Sequence, residues 1–165
     1  MKFRLYDAFV TPGYCEKVSF PIDLSAQELL TDAGIRAAPC DVALEIRNEA
    51  DIVTARFFGE IPYDAVCDRC LAPIRRTLSF DFTKDAQKDD ISDDYEGITV
   101  AADETFDVEA EAVDEILLRF PAKHLCRDDC KGLCPVCGCD RNVTDCSCDP
   151  KPADPRLEIL RNLSL

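Results

Sequence analysis

The chain has 165 residues, 47% of them hydrophobic, with 33 acids against 19 Lys and Arg and with 11 cysteines. A chain of this length can bury a core without covalent staples, and a net charge of -14 excludes holding nucleic acid through the overall field of the molecule. The opening residues, "MKFRLYDAFVTPGYCEKV", contain no long apolar run, so neither a secretory leader nor a membrane span is expected and the expected setting is cytoplasmic.

The first third reads as strands. "KVSFPIDL" is an early strand whose Pro21 suits an edge position. "SAQELLTDAG" reads as a short helix with Ser25 as N-cap and Gly34 near its end. In "DVALEIRNE" the side chains of Val42, Leu44 and Ile46 fall on one face, the period-two mark of a half-buried strand. "DIVTARFFGEI" alternates through Val53, Ala55 and Phe57, and "RRTLSFDFTKD" through Leu78, Phe80 and Phe82. Residues 84–96 are acidic and lack apolar periodicity, which predicts a mobile loop, and "GITVA" adds a strand after it. "DVEAEAVDEILLRFP" is the strongest helix: Asp107 can cap it, Glu109 and Glu111 favour its positive end, and Pro121 follows it. Its stripe of Val108, Ala112 and Ile116 is ordinary core packing. A last short helix starts at "DPRLEILRNL", with Asp154 as N-cap and Pro155 in the first turn.

These elements predict an α+β protein with an N-terminal antiparallel or mixed β-sheet or small barrel, one amphipathic helix, and a C-terminal cysteine-rich zinc-binding segment. The expected division is a β-rich region over 1–105 with its acidic loop at 84–96, and a helix plus zinc-stapled tail over 106–165, within one compact domain. The acidity is local. Residues 81–115 hold fourteen acids and two bases, whereas 1–80 carry a net charge of -3 and 116–165 of +1.

Clustered cysteines in a reducing compartment more often bind metal than form disulfides, and an odd count leaves complete pairing impossible within one chain. "CDRC" supplies Cys67 and Cys70, "CRDDC" Cys126 and Cys130, "CPVCG" Cys134 and Cys137, and "CSC" Cys146 and Cys148. Eight thiolates fill two tetrahedral sites, and zinc takes its ligands in such close pairs from two places in a chain. The preferred partition joins "CPVCG" to "CSC" and "CDRC" to "CRDDC", tying sheet to tail; Cys130 and Cys134 are close enough in sequence for the pairs to exchange. Cys15, Cys40 and Cys139 are expected outside the ligand set, the first two as small buried residues. An iron–sulfur cluster is the alternative occupant, disfavoured by the spacing. Sites closed by four thiolates are structural, and neither a Ser-His-Asp or Cys-His arrangement nor a phosphate-cradling glycine loop is present, so no enzyme activity is expected. His124 is the only histidine, and a surface or RNA-contacting role is expected for it.

"CDRCLAPI", then "EILLRFPAKHLCRDDCKGLCPVCGCDRN" with "CSC", then "DPRLEILRNL" together resemble the bacterial YceD family. The resemblance implies a cytoplasmic ribosome-biogenesis factor linked to accumulation of large-subunit ribosomal RNA, without known catalytic residues. This chain departs from the family after the second knuckle, reading "CGCDRN" where members read like "CGxDLN" or "CGxNLN", and some members lack most of the cysteines. Two modes of action follow. One is binding of large-subunit ribosomal RNA or a pre-ribosomal particle through a basic patch of Arg69, Arg75, Arg76, Lys123, His124, Arg127, Lys131 and Arg141, against the plainer reading of these as solvated, ion-paired surface. The other is an acidic chaperone whose 81–115 segment holds a basic ribosomal protein. No membrane partner is expected.

Overall fold

A computed structural model describes residues 1–87, 97–101 and 103–148. The chain divides into two compact units, the first of 1–65 and 74–122, the second of 66–73 and the chain from 123 onward.

The first unit is mixed α+β. Its strands and helices run β1 (Lys2–Arg4), α1 (Tyr6–Val10), β2 (Cys15–Ile22), α2 (Glu28–Asp32), β3 (Arg36–Ala37), β4 (Cys40–Glu49), β5 (Ile52–Val66), β6 (Pro73–Gln87), β7 (Ile98–Thr99), β8 (Thr105–Asp107) and α3 (Val108–Arg119). A six-stranded sheet has the order β2-β4-β5-β6-β7, with β3 paired onto β5, and β1 with β8 forms a separate two-stranded ribbon. The β2–β4 and β4–β5 pairs are antiparallel and β6–β7 is parallel, so the sheet is mixed. Among the described residues its order runs open from β2 to β7, without closing into a barrel.

Period-two alternation builds the core. The odd positions of β5 (Val53, Ala55, Phe57, Ile61, Tyr63 and Ala65) are buried, and Gly59 continues the same row. A Cβ on Gly59 would lie 3.0 Å from the ring of Phe80, so the glycine gives that ring its space. Phe82 stacks on Phe57 with ring centroids 5.0 Å apart. On α3, Val108, Ala112 and Ile116 are fully buried in the same cluster, as the heptad-like stripe requires. Lys84 of β6 reaches Glu111 and Glu115 of α3 at 3.1 and 3.0 Å, and the Arg119 guanidinium lies over Phe82. Asp107 caps α3, accepting from the backbone N–H of Glu109 and Ala110. Pro21 sits on β2, the last strand in the order, where a missing N–H leaves no partner unpaired.

Two boundaries differ from the sequence expectation. Helix α2 starts at Glu28 with Gln27 as its N-cap, because Asp23 takes the backbone N–H of Ser25 in an Asx turn and Ser25 lies outside the helix. The acidic loop was expected from residue 84, but Lys84–Gln87 continue β6, carried by pairing with β7 and by the burial of Ala86. Residues 88–96 and the helix expected from Asp154 lie outside the described residues. No helix among the described residues is long and apolar enough to cross a membrane.

Candidate metal centre

The chain enters the second unit twice. The β5–β6 connection brings Cys67 and Cys70, and the segment after α3 brings Cys126 and Cys130. These four sulfurs lie within 4.8 Å of one another, with Cys67 to Cys130 at 3.8 Å and Cys70 to Cys126 at 3.6 Å. Thiolates bound tetrahedrally at about 2.3 Å from one ion are about 3.8 Å apart, so the donor set fits a single zinc-sized ion. A second group joins Cys134, Cys137, Cys139 and Cys146 within the same 4.8 Å limit. Two groups of four cysteines can therefore hold metal ions, and their chemistry is compatible with zinc.

Both groups grow from the same local turn. In the first, Leu71 N–H donates to Cys67 C=O at 2.9 Å and Cys67 N–H to Ala72 C=O at 2.8 Å. In the second, Gly138 N–H donates to Cys134 C=O at 2.9 Å and Cys134 N–H to Cys139 C=O at 2.8 Å. The residue after the second cysteine is left-handed in each case, Leu71 at φ +60° and Gly138 at +74°. "CDRCLA" and "CPVCGC" are thus the same knuckle written twice, and Cys139 occupies the place of Ala72.

A braced shell surrounds the first group. Arg69 Nη1 donates to the carbonyls of Cys130 and Asp128 at 2.9 and 3.3 Å, shaping the "CRDDC" turn, and its own carbonyl accepts from Leu133 N–H. His124 N–H donates to the Asp68 carboxylate at 2.7 Å while Asp68 N–H donates to His124 C=O at 2.8 Å. Asn142 uses its whole amide: Oδ1 accepts from Lys131 N–H and from Arg127, and Nδ2 donates to Cys130 Sγ at 3.4 Å. Such outer contacts orient ligands and tune their basicity.

The thiols themselves favour a cation. Burial pushes the Cys67 thiol up, but backbone groups of Cys126, Cys70 and Arg69 outweigh it and bring the group down to about 6. Backbone groups of Cys137 and Val136, with the Cys146 thiol, do the same for Cys134, again to about 6. Their neighbours go the other way. Cys126 rises to about 12 by burial and by the thiols beside it, and Cys139 and Cys148 rise to about 12 chiefly through Cys137. Cys137 is lowered as well, first by the backbone of Cys139, so thiolates form readily in each group and then oppose the remaining thiols; a dication relieves that repulsion.

The first group is the expected set of Cys67, Cys70, Cys126 and Cys130. In the second, Cys134, Cys137 and Cys146 come together as expected, while the fourth place within the compact group is taken by Cys139, and Cys148 interacts with Cys137 and Cys134. Of the eight basic-patch residues, Lys123, Arg127, Lys131 and Arg141 are exposed on the second unit. His124 is 8% exposed and Arg69 braces a turn. Arg75 pairs with Asp64 on the first unit, where Arg76 also lies. Sequence reasoning missed the bracing roles of Arg69, Asp68 and Asn142. Aligning "CDRCLA" with "CPVCGC" would have revealed the repeated knuckle.

No solved structure matches the chain. Among curated proteins it is similar to uncharacterized proteins of Mycobacterium tuberculosis and Mycobacterium bovis, each 29% identical over 128 residues that cover 74% of this chain and 60% of the relative. An uncharacterized protein of Mycobacterium leprae is 26% identical over 105 residues, covering 61% of this chain and 48% of the relative. The chain therefore spans less than two thirds of the length of these relatives. Residues 60–164, a span that contains both knuckles, match the family described as large ribosomal RNA subunit accumulation protein YceD, and the chain belongs to that family.

Proposed function

We propose that the protein is a non-enzymatic, cytoplasmic factor in accumulation of large-subunit ribosomal RNA, acting on that RNA or on a pre-ribosomal particle through a second unit organised by two structural zinc ions. The observation that carries the zinc reading is the pair of four-thiol groups, each compact enough for one ion. The sulfurs of each group lie within 4.8 Å of one another, which suits one ion, whereas a multi-iron cluster spreads its thiolates over different irons. Zinc in such a site supplies cross-linking rather than chemistry, because four thiolates leave no position for water or substrate. The family description supports the ribosomal role.

Among the described residues of this unit, Lys123, Lys131 and Arg141 are exposed cations offered to phosphate, while Arg69 and Arg127, also exposed, are held in the shell of the first centre. Crosslinking in cells, followed by identification of attached RNA, should recover large-subunit ribosomal RNA. Reversing Lys123, Lys131 and Arg141 to Glu should abolish the crosslinks while leaving zinc content intact. Crosslinks that survive the reversal, or that enrich no ribosomal RNA, overturn the RNA-binding reading.

A second mode is favoured by charge. The described part of the second unit has five acids and five bases, and each ion with four thiolates carries two further net negative charges. Together with the acidity of 81–115, this suits capture of a basic ribosomal protein. Reversing acids in 81–115 should then release a crosslinked basic protein and leave RNA contacts intact or stronger; unchanged protein capture removes this mode.

A further inference from the structure

The second centre has five thiols where four suffice. Cys134, Cys137 and Cys146 belong to either choice of four. Cys139 completes the compact group with all sulfurs within 4.8 Å and interacts with Cys137 and Cys146. Cys148 interacts with Cys137 and Cys134 instead. Two observations point to different fourth ligands. Sulfur proximity selects Cys139. The repeated knuckle selects Cys148, because the first centre has Ala72 at the place of Cys139 and is completed by two sulfurs from a distant segment. Cys139 and Cys148 are both partly accessible rather than sealed in the interior, and the thiols acting on Cys67, Cys70 and Cys126 in the first centre are those of its own four cysteines.

We propose that the second centre holds its ion through three fixed thiolates, Cys134, Cys137 and Cys146, and an interchangeable fourth, Cys139 or Cys148, making it an exchangeable metal site beside a fixed one. This rests on the zinc reading above. Exchange changes no oxidation state: one metal–sulfur bond forms as the other breaks, and the incoming thiol gives up a proton as the outgoing thiolate takes one. The spare thiol offers a path for ligand exchange, and so for metal release, that the first centre lacks.

Native mass spectrometry of the full chain, loaded with zinc and held against a competing chelator, tests this. Wild type, Cys139→Ser and Cys148→Ser should each keep two zinc ions, the double variant should keep one, and Cys126→Ser, which has no substitute, should also fall to one. Loss of an ion from either Cys139→Ser or Cys148→Ser alone overturns the proposal by making that cysteine the fixed ligand, and two ions in the double variant overturn it as well. Wild type failing to hold two ions would instead sink the zinc reading. Should the double variant misfold, alkylation of zinc-loaded wild type with peptide mapping decides. Label divided between Cys139 and Cys148 supports exchange, and label on one of them alone overturns it.

Discussion

Gly132 and Gly138 share nearly the same backbone, at φ +72° and +74°, in very different surroundings. A Cβ on Gly138 meets nothing within 4 Å, whereas one on Gly132 would lie 2.9 Å from the carbonyl oxygen of Arg69. Gly138→Ala therefore pays only for its left-handed conformation, about 1–2 kcal/mol. Gly132→Ala adds a clash with backbone that cannot rotate away, about 1–3 kcal/mol more. Denaturant titration of the metal-loaded protein should rank the two in that order, and equal losses would refute the close packing of the knuckle on the "CKGLC" turn. Leu71 holds the Gly138 position in the first knuckle at φ +60° with its side chain 62% exposed. Leu71→Gly should thus stabilise, by up to about 1 kcal/mol. The knuckle glycine at 138 was legible from its place after "CPVC". Leu71 was not, because nothing in a leucine announces positive φ; only the hydrogen bonds shared by the two turns do.

At the scale of elements, α3 and β4 show how far local pattern reaches. The Asp107 cap, the acidic first turn and the buried stripe of α3 were all readable, because capping and a 3.6-residue period depend only on near neighbours. Asp107→Ala should cost about 1 kcal/mol, measurable as a fall in denaturation midpoint with unchanged slope. Strand β4 is less complete. Alternation places Val42, Leu44 and Ile46 inward and Glu45 outward, yet Glu45 is only 2% exposed. The cover comes from cations, with Arg47 at 2.6 Å, Lys17 at 3.5 Å and Arg56 at 3.9 Å. Two of these come from neighbouring strands, so register had to be known first. The hydrogen bond from Arg47 holds the Glu45 carboxyl below its ordinary value. Its contribution to stability is full above the unfolded carboxylate value of about 4.3 and is lost as pH falls through the lower folded value. The stability difference between wild type and Glu45→Gln should accordingly shrink on acidification below about pH 4. A difference constant with pH would show that the ion pairs contribute nothing there.

For the molecule as a whole, the two units are stabilised by different physics. The first buries Phe20, Phe57, Leu44, Ile61, Ile116 and many more apolar side chains. Among the described residues of the second, the buried apolar side chains are Cys67, Cys70, Cys130 and Cys134 alone, so its interior is its ligand set. Ion binding is then folding free energy for that unit. A chelator strong enough to strip zinc should open 66–73 and 123–148 to protease and leave 1–65 and 74–122 resistant. Unchanged resistance of the second unit, with metal loss verified, would refute this. The amino-acid sequence by itself determined the ligand type, the knuckle spacing, the strand and helix periods and the family resemblance, because each is a relation among residues close along the chain. The joining of "CDRC" to "CRDDC" was already the preferred partition from sequence, whereas the fourth member of the second group was decided by tertiary structure alone. Cys67 and Cys130 stand 63 positions apart and 3.8 Å from sulfur to sulfur, and Cys139 rather than Cys148 completes the compact second group. Chemically identical donors cannot be ranked by spacing; the path of the backbone between them sets which sulfurs converge.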